Sequence, residues 1–301
     1  MLDRTGLHQR NTLFRLLRTF FYERGFLEVD TPVRQPVLIP ENTITPVGSD
    51  GWFLQTSPEL CMKRLLAAGS GNIFQICPCF RKEESGRLHL EEFTLLEWYR
   101  LDADYHDLMV DCRELLRFLQ THFPVSSGIP ETVLKKIDFS QDWQRLSVAE
   151  AFEQFSPISL SEALSNSRFD EVLVECVEPM LGIGTPTFLY DYPLELGTLA
   201  KKSESNPEIV ERFELYIEGI EFANGFSELT DVTEQRKRFE HELELIRKFD
   251  GRVMKMPERF LADLENLGRA AGIALGVDRL YMLLSGKGHV SEAVSFHPCD
   301  F

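Results

Sequence analysis

Residues 73–100, IFQICPCFRKEESGRLHLEEFTLLEWYR, hold two runs rich in apolar and aromatic residues on either side of the polar ESGRLHL. Runs of that kind suit a half-buried pleated surface, so Ile73 to Glu83 and Glu92 to Arg100 are expected to form an antiparallel hairpin with a long loop. Side chains two apart share a face of a strand. Phe93, Leu95, Glu97 and Tyr99 therefore point one way, and Thr94, Leu96 and Trp98 the other. Two polar groups beside an aromatic ring make the first set the candidate ligand face. Arg81 and Glu83 are expected to share a face on the partner strand. Cross-strand ion pairing on a wet sheet is the competing explanation for any one of these residues taken alone.

Upstream, Leu13, Leu16, Leu17, Phe20 and Phe21 recur at i, i+3, i+4, i+7 and i+8, one apolar face of a helix closed by Gly25. FLEVDTPV then reads as a short strand stopped by Pro32, which has no N–H for a ladder. Ser57-Pro58-Glu59 has the form of a helix start, with a Ser cap, Pro in the first position and an acid in the first turn.

Downstream, Leu108, Cys112, Leu115, Leu116 and Leu119 mark another amphipathic helix. From about 125 to 186 the chain reads as a helical insertion, with capping-box patterns at Ser147/Glu150 and Ser159/Glu162 and no recognisable chemistry. Regular structure resumes with RFELYIEGIEF, a helix around Glu234 to Phe249, and GIALGV running into DRLYMLL.

In GIALGV, Gly272, Ala274 and Gly276 alternate with Ile273, Leu275 and Val277, so one face of that strand is nearly bare. Close approach of a ligand and tight packing of another element account for this equally well. Arg279 follows at the strand-to-helix junction, where an anionic phosphate could be met. Glu221 and Glu228 are seven apart and fall on opposite faces of a regular strand, unless a kink at Asn224-Gly225 aims both at one point. Paired carboxylates suit Mg²⁺ bridging ATP phosphates, or an ammonium group; a solvated acidic edge is the alternative.

The 301 residues are 43% hydrophobic with no compositional break, so one catalytic domain over 1–301 is expected. A net charge of −16, from 48 acidic and 32 basic residues, is the wrong sign for wrapping long nucleic acid and suits a small cationic substrate. No apolar run reaches the roughly 18–20 residues that cross a bilayer, and no secretory pattern opens the chain, so a cytoplasmic location is expected. Cys61, Cys77, Cys79, Cys112, Cys176 and Cys299 form no CxxC pair, which suggests neither disulfides nor zinc.

Together these pieces resemble, in order, the three signature motifs of the class II aminoacyl-tRNA synthetases. RGFLEVDTP, residues 24–32, resembles motif 1, whose proline lies at the dimer interface in that family. FRKEESGRLHLEEF, residues 80–93, resembles motif 2, and GIALGVDR, residues 272–279, resembles motif 3, with Ala274 where most members have glycine. TSPEL, EFTLLEWY and ANGFSELTD are similar to the lysyl-tRNA synthetase core. The nearer resemblance is to its truncated paralogues, the ligases that attach lysine or (R)-β-lysine to elongation factor P. Motif 1 begins too early for an N-terminal anticodon-binding OB domain, and Ala274 matches the ligase pattern.

The resemblance implies an α+β fold, an antiparallel sheet flanked by helices, and a homodimer through the Pro32 region. It implies ATP and Mg²⁺, formation of an aminoacyl-adenylate, and transfer to elongation factor P, with no tRNA and no membrane involved. Arg81 would bind the α-phosphate, Arg279 the γ-phosphate, and Phe93 would stack on adenine, whose edge Glu83 and the backbone near Leu90 would read. Lys82, His89, Phe222 and Gly276 would complete the ATP side. Leu90 stands where relatives usually carry Asn; a backbone contact survives that exchange and a side-chain contact does not.

Glu221 and Glu228 would hold Mg²⁺, Glu228 also pairing with the substrate's side-chain ammonium, and Glu59 would take the other amino group. Ser57, Pro58, Glu97, Tyr99, Asn224, Phe226 and Ala274 would finish the amino-acid pocket. By size alone the methyl of Ala274 shifts selectivity by about 1–3 kcal/mol, which favours β-lysine over lysine. A tRNA-charging enzyme and a non-catalytic amino-acid-binding regulator are the alternatives.

Overall fold

A computed structural model describes residues 1–123, 137, 139 and 141–301. The first helix, α1 (Arg4–Glu23), is started by Asp3, whose carboxylate accepts from the Gly6 N–H at 2.7 Å. It buries Leu13, Leu17, Phe20 and Phe21 and stops before Gly25, which takes the left-handed conformation at φ 76°. The strand expected in FLEVDTPV is only β1 (Leu27–Glu28), although Val29 N still donates to Phe74 O at 2.9 Å before the proline.

Ser57 Oγ does accept from a backbone N–H, that of Glu59 at 3.3 Å, and α2 spans Glu59–Ala67, one residue later than the pattern implied. The hairpin forms from β5 (Ile73–Phe80) and β6 (Glu92–Leu101), antiparallel, with Ile73 opposite Tyr99 and Phe80 opposite Glu92. β5 ends before Arg81. Arg81 N makes a last bond to Glu91 O (2.9 Å), and Glu83 turns the chain at φ 69°. Arg81 and Glu83 therefore do not share a strand face.

The remaining long strands are β7 (Gln144–Ser147), β8 (Thr187–Pro193), β9 (Ile209–Ile217), β10 (Ile220–Ser227) and β11 (Ala270–Gly276). Among the described residues the main sheet has eight strands in the order β1-β5-β6-β11-β10-β9-β8-β7. Pairing is antiparallel except for β1 with β5 and β7 with β8 at the two edges. A three-stranded sheet of β2 (Arg34–Gln35), β4 (Trp52–Leu54) and β3 (Gly48–Ser49), in that order, stands apart. The fold is α+β, an antiparallel sheet flanked by helices.

Residues 125–136, 138 and 140 of the expected insertion lie outside the described residues. The rest is less purely helical than the pattern implied, because β7 joins the main sheet. Ser147 forms a reciprocal capping box with Glu150 on the helix Val148–Phe155, and Ser159 caps Leu160–Ser165.

One face of the sheet carries the main core. Phe74, Leu96 and Trp98 meet α1, α3 (Tyr105–His122) and the helix Val277–Ser285 there. Phe21 stacks on Phe74 with centroids 4.8 Å apart and tilts on Trp98 at 5.2 Å. Each such side chain adds about 2–3 kcal/mol of burial free energy, which fixes the strand register and leaves the opposite face to the cleft.

Candidate active site

Strand parity builds the floor of the cleft. Phe93, Leu95, Glu97 and Tyr99 of β6 all line one cavity, of about 1080 Å³ counted to its mouth, while Leu96 and Trp98 are buried in the core behind them; Thr94, expected on that far face, also reaches the cavity lining. β11, antiparallel to β6, lays its bare face alongside: Gly272, Ala274 and Gly276 line the cavity too. The two explanations of that face divide between its glycines. A Cβ on Gly272 would meet the Tyr99 ring at 2.2 Å and Glu228 Oε1 at 2.5 Å, whereas one on Gly276 would meet nothing nearer than Arg279 at 3.7 Å.

β10 supplies the third wall. Its irregularity lies between Glu221 and Ala223, not at Asn224-Gly225, and the extra residue brings Glu221 onto the cavity with Phe222, Asn224 and Phe226. Asn224 is held from behind. Arg212 Nε donates to its Oδ1 (3.2 Å), and Arg212 is tied to buried Glu214 at 2.6 Å, which also accepts from the Tyr192 and Tyr216 hydroxyls at 2.6 Å each.

One end of the cavity is cationic and aromatic. Arg81 lies over the Phe93 ring at 5.2 Å, its Nε 3.5 Å from Thr56 O, with Glu84 the nearest acid at 3.9 Å. Arg279 donates to Glu221 O (2.7 Å), Leu88 O (3.2 Å) and His89 Nε2 (2.6 Å), and pairs with the Glu221 carboxylate at 3.3 Å. Burial and the Arg279 charge push His89 below the usual histidine range, which favours the neutral ring that accepts from Arg279. Leu90 lines this end and packs with Val290 and Val294. Lys82 and Glu83 pair with each other on the exposed loop (2.9 Å), and neither lines the cavity.

The other end is acidic. Glu59 and Glu97 line it, with Ser57 beside them; Pro58 does not, because it caps α2. Glu97 accepts from the Tyr99 hydroxyl at 3.0 Å, and burial with the Glu59 charge raises its carboxyl well above the usual range. Glu228 is absent from the lining. Its side chain is fully buried behind Gly272 and Tyr99, with its Oε2 2.5 Å from Lys63 Nζ, and Lys63 lies equally close, 2.5 Å, to Glu59 Oε1. Burial would lower Lys63, but the Glu228 and Glu59 charges outweigh it and hold it above the usual lysine range.

Sequence reasoning missed Lys63, although Glu59 and Lys63 are an i, i+4 pair on a helix. It also missed Glu41 and Glu84 on the cavity wall. Glu84 lies in the loop beyond β5, where strand parity does not reach, and no periodic pattern marks Glu41. For a metal, Glu221 offers oxygen to the phosphate end, while Glu228 is turned to Lys63. Among the described residues no cluster of three or more His, Cys, Asp or Glu is placed to hold an ion. One carboxylate with phosphate oxygens and water is the usual Mg²⁺ arrangement, so Glu221 fits that role.

A cleft on the open face of an antiparallel sheet, with an arginine at each of two strand ends and carboxylates at its far end, defines a class of nucleotide-dependent ligase. The chain belongs to the tRNA synthetases class II (D, K and N), a family that matches residues 4–299 and whose ligase chemistry uses ATP. It is 40% identical over 295 residues to the elongation factor P–(R)-β-lysine ligase of Proteus mirabilis, covering 93% of this chain and 91% of that protein. The ligases of the same name from Pseudoalteromonas translucida and Pectobacterium carotovorum are 37% and 39% identical, over 96% and 97% of this chain and 94% of each of theirs. Among the described residues no helix is long and apolar enough to cross a membrane.

Proposed function

We propose that this chain activates (R)-β-lysine, or lysine, with ATP and transfers it to a lysine side chain of elongation factor P. The observation that carries this is the division of one cleft: Arg81, Arg279, His89 and Phe93 at one end, and Glu59 and Glu97 with Tyr99 at the other. The first set fits a nucleotide triphosphate. The second selects a diamino acid, since buried carboxylates left without an ammonium penalise a substrate lacking one.

Adenine stacks on Phe93, with its edge toward the Leu90 backbone. Arg81 faces the α-phosphate and Arg279 the γ-phosphate. Glu221 would hold Mg²⁺ beside Arg279, neutralising phosphate charge. The substrate carboxylate attacks the α-phosphorus; a C–O–P bond forms, the bond to the bridging oxygen breaks, and pyrophosphate leaves. An acceptor amine then attacks the acyl carbon and loses a proton, and AMP leaves. Both steps need orientation and charge neutralisation rather than a protein nucleophile, which agrees with the six free cysteines lying outside the chemistry. The thiols also suit a cytoplasmic enzyme, and the family resemblance in the Pro32 region supports a homodimer.

The test is the intact mass of elongation factor P after incubation with the chain, ATP, Mg²⁺ and (R)-β-lysine, with bulk tRNA as competing acceptor. A gain of one lysyl group on the factor and none on tRNA is expected. Loading of tRNA would replace this proposal with a tRNA-charging enzyme, and binding without any adenylate with a regulatory protein.

A further inference from the structure

A cation outside the cleft ties together the elements that form its nucleotide end. Arg10, on α1, does not line the cavity, and its side chain is 12% exposed. Its Nη2 donates to Asp278 Oδ1 at 2.6 Å and to Thr94 Oγ1 at 3.1 Å, and its Nη1 donates to Ala293 O at 2.8 Å. The other Asp278 oxygen, Oδ2, accepts from the Thr94 N–H at 2.7 Å.

Each of these partners adjoins a residue assigned to ATP in the function proposed above. Thr94 follows Phe93 on β6, and Asp278 precedes Arg279 in the first turn of the helix Val277–Ser285. Ala293 lies between Val290 and Val294, which pack with Leu90. The residues for adenine and for the γ-phosphate thus stand on different elements, and Arg10 with Asp278 is where those elements are joined. A guanidinium presents its donors in a fixed planar fork, so it sets directions as well as distances; a lysine cannot reach all three acceptors with the same geometry.

A ligand that spans two subsites gains from the second only where the spacing between them suits its own length. We propose that Arg10 is a positioning residue for ATP: through Asp278 and Thr94 it sets the separation of the Phe93 and Arg279 subsites. The inference rests on the placement of ATP proposed above and adds to it a residue outside all three motifs.

Titration calorimetry of the full chain with three probes separates this role from simple packing. MgATP spans both subsites, whereas adenosine and tripolyphosphate each occupy one. Arg10→Met is expected to weaken MgATP roughly 10- to 100-fold, as a misplaced subsite does, with adenosine and tripolyphosphate binding close to wild type. Arg10→Lys keeps a cation beside Asp278, which protects the fold, and should lose less MgATP affinity with the two fragments again unaffected. In ATP–pyrophosphate exchange the KM for ATP should rise in both variants while the KM for (R)-β-lysine stays close to wild type. MgATP affinity unchanged in both variants, or an equal loss for all three probes, overturns the role of Arg10. Absence of MgATP binding by the wild-type protein overturns the underlying function instead.

Discussion

Lys63 is the residue on which the acidic end of the cleft depends. It is 2% exposed and sits between two carboxylates, one of them fully buried, and its ammonium also lies 5.1 Å from the centre of the Phe226 ring. Removing one partner of a buried ion pair leaves the others uncompensated, at a cost of about 3–5 kcal/mol. Lys63→Met should therefore lower the urea midpoint sharply, and adding Glu228→Gln should restore part of it; additive losses would show that the cluster does not act as a unit. Glu41 gives a second prediction. Its folded pKa, about 7, is raised by burial and by Glu59 and Glu242 against Arg81 and Lys63, so its contribution to stability is present below about 4.5 and is lost as pH rises through 7. The effect is about 1 kcal/mol, because the side chain faces an open cleft and solvent screens it. Stability of the ligand-free protein should fall over that window and fall less in Glu41→Gln. At this scale the sequence was legible where side chains repeat, as in the Phe93–Tyr99 set. It was silent at Glu41, which stands alone between Pro40 and Asn42 in a loop with no period to read.

Among the elements, β11 explains most about how the cleft is shaped. The alternation in GIALGV predicted a bare face but not which glycine makes room for protein and which for ligand, since both look alike in one dimension. Only the register with β6, which sets Gly272 opposite Tyr99, separates them. Gly272→Ala would drive a methyl into the Tyr99 ring and the Glu228 carboxylate, and overpacking of a rigid site costs about 1–3 kcal/mol or more. Gly276→Ala adds only ordinary contacts with Arg279 and needs no unusual backbone angle, so its cost should stay below about 1 kcal/mol. Thermal unfolding of the two variants side by side checks this, and equal losses would sink it. The β10 bulge was expected two residues too late, because Asn-Gly is a strong turn signal that a paired strand here overrides: Asn224 and Gly225 are opposite Glu214 and Phe213 in regular register.

At the scale of the whole molecule, the order of the three motifs along the chain was enough to expect the sheet, but not its edges. β7 enters the sheet from the segment expected to be helical, since four residues that run straight into a helix carry too little pattern to distinguish strand from turn. The other edge bears on assembly. β1 is two residues long and closes the sheet next to β5, so it has almost no free ladder to offer a partner strand. It does offer side chains: Leu27 is 54% exposed, and Tyr22, whose hydroxyl donates to Glu28, is 53% exposed next to it. Two large apolar side chains exposed together, beside the segment that resembles motif 1, suit burial against a second copy of the chain rather than contact with water. The protein is therefore expected to sediment as a dimer at micromolar concentration. Leu27→Asp should shift it to monomer, while Phe249→Asp, at a residue 74% exposed on another helix, should leave the dimer intact. A wild-type protein that sediments as a monomer, or a Leu27→Asp variant as dimeric as the control, would place the contact elsewhere or deny it.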